Sequence, residues 1–152
     1  MNYKLIFLLE ILAFISISFW AAAMEGETGG IFGIKTLFEL SADFYIFNLT
    51  IPLFLLMVLL IKPEVKLFGV LATGYFLGIV LEDFFWFLIN PYYGIQNFNS
   101  KNAFWILNWI NVGFEIPLFY IRYLLGAFLT WFIFVYKAKY IEKIIKKLSF
   151  FF

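Results

Sequence analysis

The chain is 152 residues long, 64% hydrophobic and 24% aromatic, with a formal net charge of +1. That charge excludes a nucleic-acid binder, which needs a broad basic face, and the length leaves room for one membrane domain and no separate soluble one. With no cysteine and no histidine, thiolate, zinc–sulfur and Ser-His-Asp chemistry and the commonest transition-metal sites are excluded.

Four long apolar runs dominate the chain: residues 5–24, 44–61, 67–89 and 117–136. Each approaches the roughly 20 residues that a helix needs to cross a hydrocarbon core. The expected fold is therefore an all-α integral membrane protein, a four-transmembrane-helix bundle over residues 1–136, followed by a cytoplasmic tail over 137–152. The first run resembles a signal peptide in having Lys4 before it and Ala21-Ala22-Ala23 near its end. Glu10 inside its apolar centre instead argues for a retained span.

The connections carry their own pattern. Residues 31–43 place Ile31, Ile34, Leu37 and Phe38 on one helical face, with Lys35, Glu39 and Asp43 opposite. The second connection, Lys62-Pro63-Glu64-Val65-Lys66, is tight. The third opens with the turn Asn90-Pro91-Tyr92-Tyr93-Gly94, and Ser100 is placed to cap a helix over 103–115. In that helix Asn108, Asn111 and Glu115 would form a polar stripe beside Phe104, Trp105, Trp109 and Ile110. Both outer connections are thus expected to carry amphipathic interfacial helices. The tail alternates Ile141, Ile144, Ile145 and Leu148 with Lys139, Lys143, Lys146 and Lys147, a basic amphipathic helix suited to anionic inner-leaflet lipids.

Lysine placement gives an orientation. Lys4, Lys62, Lys66 and the tail lysines mark one side. Glu25, Glu27, Glu39 and Asp43 outweigh Lys35 in the first connection. The expectation is a multi-pass protein of the cell membrane with both termini cytoplasmic.

Polar groups inside the runs are the candidate site, because charges in lipid are expensive. Counting about 1.5 Å per residue from the outer ends, Asn48 lies about 6 Å deep, Arg122 about 8 Å, Ser18 about 9 Å, and Glu82 and Asp83 about 10 Å. The spacing Gly74, Gly78, Glu82 matches Arg122, Gly126, Thr130 when the third and fourth spans run antiparallel, which would pair Glu82 with Arg122 across close-packed glycines. Asp83, turned about 100° from Glu82, needs a different partner. Pro52 lacks an N–H and would free the Asn48 carbonyl. With Asp83 it would make ligands for Na⁺ or another hard cation. Glu10, nearer the cytoplasmic end, is expected to reach Lys62 or Lys66 or to mark the inner end of a polar route.

Three functions fit these residues. The first is ion- or proton-coupled transport or binding of a small solute in an outward-facing pocket of Asp83, Asn48, Glu82, Arg122 and Ser18, as a homo-oligomer. The second is a non-catalytic subunit of a larger membrane complex. The third is a lipid-headgroup enzyme with Asp83 as base and Arg122 on phosphate, which the missing histidine and nucleophile disfavour.

Overall fold

Asn2 opens the first helix: its Oδ1 accepts the backbone N–H of Leu5 at 3.1 Å, and its carbonyl accepts that of Ile6. Such a cap satisfies N–H groups that the first helical turn leaves unbonded. The computed structural model describes residues 2–25, 46–103 and 106–148. Helix α1 is Tyr3–Glu25, α2 is Ile51–Ile61 after a π-helical turn Ile46–Thr50, and α3 is Val65–Ile89. Helix α4, Leu118–Thr130, continues as a π-helical stretch Trp131–Tyr136. Helix α5 is Ala138–Leu148.

Three of these helices are long and apolar enough to cross a membrane: Tyr3–Ala23, Val65–Ile89 and Leu118–Tyr136. The chain is accordingly a mostly helical membrane protein. The expected second span appears as the shorter apolar helix Ile46–Ile61, about 24 Å long at 1.5 Å per residue. The amphipathic helix expected over 31–43 lies outside the described residues.

Helix α3 is the central element. Helix α1 runs parallel to it, from the hydrogen bond between Tyr3 and Glu64 at one end to the cluster of Ala21, Ala22, Trp86 and Phe87 at the other. Helix α4 returns antiparallel, from Tyr120 beside Asp83 down to Phe134 beside Gly69. At the far end of α3 the fully buried amide of Asn90 makes the turn that the sequence predicts. Its Oδ1 accepts the N–H groups of Tyr92 and Tyr93 at 3.0 and 3.1 Å, and its carbonyl accepts that of Gly94.

The helix expected over 103–115 does not form. Trp109–Asn111 (β1) and Glu115–Pro117 (β2) pair as an antiparallel hairpin, with Ile110 opposite Ile116 and Asn111 opposite Glu115. The reasons are local. Gly113 adopts φ +100° and Asn108 φ +62°, conformations open to glycine and tolerated by asparagine but incompatible with a right-handed helix. Asn111 Oδ1 then accepts the Gly113 N–H at 3.0 Å, closing the turn. Ser100 caps no helix there; its backbone N–H and hydroxyl donate to the Glu115 carboxylate at 2.5 and 3.0 Å. Phe104 and Trp105 lie outside the described residues.

Candidate functional site

Two faces of α3 meet two different helices, and the polar residues divide between them. On the α1 face, a side chain at position 74 would run into the Glu10 carboxylate, and one at 78 into the Phe14 ring. Glycine at both positions lets α1 approach closely. Glu10, Phe14 and Ser18 are four residues apart, as are Gly74, Gly78 and Glu82, so the parallel register puts Ser18 level with Glu82. Phe14, Ser18 and Glu82 are all buried. The Ser18 hydroxyl donates to the Phe14 carbonyl at 3.3 Å.

Glu10 is the unusual member of this face. Both carboxylate oxygens are inaccessible and have no hydrogen-bond partner among the described residues. It does not reach Lys62, whose ammonium binds Glu64 at 2.9 Å, or Lys66, which lies over the Tyr3 ring at 5.0 Å. The reason is its place on α1, where it faces Gly74 rather than the helix end.

On the α4 face, Tyr120 donates its hydroxyl to Asp83 Oδ2 at 2.6 Å. One helical level lower, Phe76 packs on Tyr123 with ring centroids 5.8 Å apart and covers Gly126. Below that the hydroxyls of Thr73 and Thr130 meet at 3.1 Å. The antiparallel arrangement of the third and fourth spans is as the sequence predicts, but the register is offset by one residue. That offset rotates the contact face of α3 by about 100°, so Asp83, Phe76 and Thr73 face α4 while Glu82, Gly78 and Gly74 face α1.

The expected Glu82–Arg122 pair is therefore not assembled. Arg122 is exposed, and no ion pair among the described residues joins it to Glu82. Two residues along α4 from Tyr120, its side chain leaves about 200° around the helix from the Asp83 contact. Asp83 and Arg122 thus do not converge as the base and phosphate-holder of an enzyme would.

Asn48 is exposed as well. In the π-helical register the missing N–H of Pro52 falls opposite the carbonyl five residues back, which is Phe47 rather than Asn48. Tyr75 satisfies that carbonyl, donating its hydroxyl to Phe47 O at 2.6 Å. Of the five expected pocket residues, the structure brings Ser18 and Glu82 to one buried face, gives Asp83 a tyrosine on the other, and leaves Asn48 and Arg122 on the surface. Among the described residues, no three acidic side chains gather as a metal site.

Tyr120, Phe14 and Tyr75 are the residues that sequence reasoning missed. Tyr120 was within reach: once Asp83 needs a partner and the fourth span is antiparallel, a tyrosine two residues from Arg122 is the nearest donor. Above it Phe98 roofs the pair, with centroids 5.8 Å from Tyr120, 5.2 Å from Trp109 and 5.0 Å from Phe87. This aromatic roof restricts water from that side and strengthens the polar contact beneath it.

No family model matches the chain, nor does any curated protein or any solved structure.

Proposed function

We propose that this protein binds a small solute or carries it across the cell membrane, coupled to protons or another cation, with the α1–α3 face as its working part. The observation that supports this most is the Glu10 carboxylate, buried and without a hydrogen-bond partner among the described residues, against Gly74. An ionised carboxylate left unpaired in lipid costs at least about 2.5–3.5 kcal/mol. Such a group is retained where it takes up a proton, or a hard cation in its place, and releases it when the helices part. Glu82, two helical turns further along the same face, offers a second acid on the route.

The orientation belongs to this proposal. The lysines at positions 4, 62, 66 and 139–147 put both termini in the cytoplasm, with α2 as a fourth, short span. The lysines of α5 would then rest on anionic inner-leaflet lipid; Lys139, Lys143, Lys146 and Lys147 are all exposed. Single-cysteine labelling tests this cleanly, since the native chain has no cysteine. A cysteine at 99 is expected to react with an impermeant maleimide from outside only.

A hydrophobic carbodiimide tests the proton site, because it reacts with protonated carboxyl groups in apolar surroundings. Mass mapping is expected to find the adduct on Glu10, falling as pH rises, and Glu10→Gln is expected to abolish both the adduct and proton flux into liposomes. Folded protein that gives no adduct on Glu10 at any pH would remove the basis of the proposal.

One observation favours a second reading, assembly with copies of itself or with another membrane protein. Arg122 lies exposed among exposed Ile121, Leu124, Leu125 and Phe128 on α4, and a guanidinium facing lipid is stabilised by a partner helix. Mass measurement in nanodiscs distinguishes an oligomer from a monomer whose Arg122 extends to the headgroups.

A further inference from the structure

At the Lys4–Lys66 end of the bundle, α1, α3 and the π-helical end of α4 enclose a cavity of about 880 Å³. Its mouth is polar, with Asn2, Lys4 and Lys66, and its depth is mainly apolar, with Phe7, Val70 and Trp131 beside the hydroxyl of Thr73. The volume falls within the range of pockets that bind small organic ligands. From Lys66 to Val70 the helix descends about 6 Å, so the wall runs from headgroup level into the hydrocarbon. Such a wall, cationic at the surface and apolar beneath, is complementary to one class of molecule available at that depth.

We infer that this cavity is a binding site for a single anionic phospholipid, its phosphate held by Lys4 and Lys66 and one acyl chain lying along Phe7, Val70 and Trp131. The charges at the mouth support this. Lys62 is neutralised by Glu64 at 2.9 Å, and Glu64 also accepts the Tyr3 hydroxyl at 2.5 Å. Among the described residues Lys4 and Lys66 have no carboxylate partner. The ammonium of Lys66 is held over the Tyr3 ring at 5.0 Å, a cation–π contact that positions the charge without cancelling it. Glu142 of α5 adds one negative charge near Tyr3, against the two ammonium groups of Lys4 and Lys66. The local balance stays positive. Neither Glu10 nor Glu82 lines the cavity, which needs only that this end of the bundle meets the membrane surface and takes its phosphate contacts from Lys4 and Lys66 rather than from the tail lysines.

The test is native mass spectrometry of the full chain from nanodiscs of phosphatidylcholine with or without one-fifth phosphatidylglycerol, in wild type, Lys4→Gln/Lys66→Gln, and a variant with Lys139, Lys143, Lys146 and Lys147 all changed to Gln. Both variants alter surface lysines and leave the helix packing in place, which circular dichroism checks. One phosphatidylglycerol is expected to stay bound to wild type and to the tail variant. Its retention should fall about fivefold for each of Lys4 and Lys66 removed, about thirtyfold for both. Equal retention of phosphatidylcholine, or loss of the bound lipid in the tail variant, would overturn the assignment. So would stabilisation by inorganic phosphate in detergent equal to that by the lipid, which would mean an anion site with no acyl-chain component.

Discussion

The Phe14 ring of α1 occupies the space that a side chain at position 78 of α3 would need. Phe14 is fully buried and wedged between Phe47 and Tyr75, with centroids 6.3 and 6.1 Å away. It has no room to move aside. Gly78→Ala is therefore expected to destabilise the protein by about 1–3 kcal/mol, as overpacking does, seen as a lower melting temperature in detergent. Gly74→Ala meets the end of the flexible Glu10 side chain instead and should be tolerated, while changing carbodiimide reactivity at Glu10. Equal losses from the two substitutions would mean that both glycines face the same kind of neighbour.

The bond from Tyr120 to Asp83 makes a second prediction. Tyr120→Phe removes one donor to a carboxyl group and is expected to cost about 1.5–3 kcal/mol. Tyr123→Phe, one turn along on the same helix and engaged through its ring with Phe76 and Phe119, should cost little. Chemical denaturation of both variants gives the comparison.

A double-mutant cycle on Glu82 and Arg122 reports whether the two side chains meet. The structure sets them on different faces, so the losses in Glu82→Gln and Arg122→Met should add within about 0.5 kcal/mol. A coupling of several kcal/mol, the signature of a buried pair, would show that α3 is rotated from its place here.

Glu64 predicts a pH response at the opposite end of the bundle. The Tyr3 hydroxyl first, and then Lys62, hold its carboxyl below the ordinary carboxylate range. A depressed folded-state value means stabilisation that is present at neutral pH and lost as pH falls through that value. Amide protection in the first turns of α1 and α3, corrected for intrinsic exchange, should thus fall as the pH drops below the ordinary carboxylate range, and Glu64→Gln should remove the dependence. An unchanged acid response in that variant would assign it to another group.

Much of the frame was legible in the sequence because lipid imposes length and polarity on helices. Three runs became helices of spanning length, and the turn at Asn90 and the antiparallel third and fourth spans followed. The spacing of Gly74, Gly78 and Glu82 correctly marks a close-packed face. It does not say which neighbour takes it, since any helix with a complementary four-residue spacing competes, and Glu10-Phe14-Ser18 fits better than Arg122-Gly126-Thr130. The segment 103–115 was misread for a different reason. Its apolar spacing suits a helix, but Asn108 and Gly113 take positive φ, and backbone geometry at two positions outweighs a side-chain pattern.

Helix α3 is fastened unequally to its neighbours. On the α4 side, cross-links at two heights, Tyr120 to Asp83 and Thr130 to Thr73, pin the helices against sliding. On the α1 side, among the described residues, the cross-helix hydrogen bond is at the bottom, where Tyr3 holds Glu64, and above it runs a track of glycine. A rod pinned at its foot, with Phe14 seated in the notch left by Gly78, tilts more readily than it slides. Tilting α1 about Tyr3 would open the far end first, around Ser18 and Glu82, and expose Glu10 last.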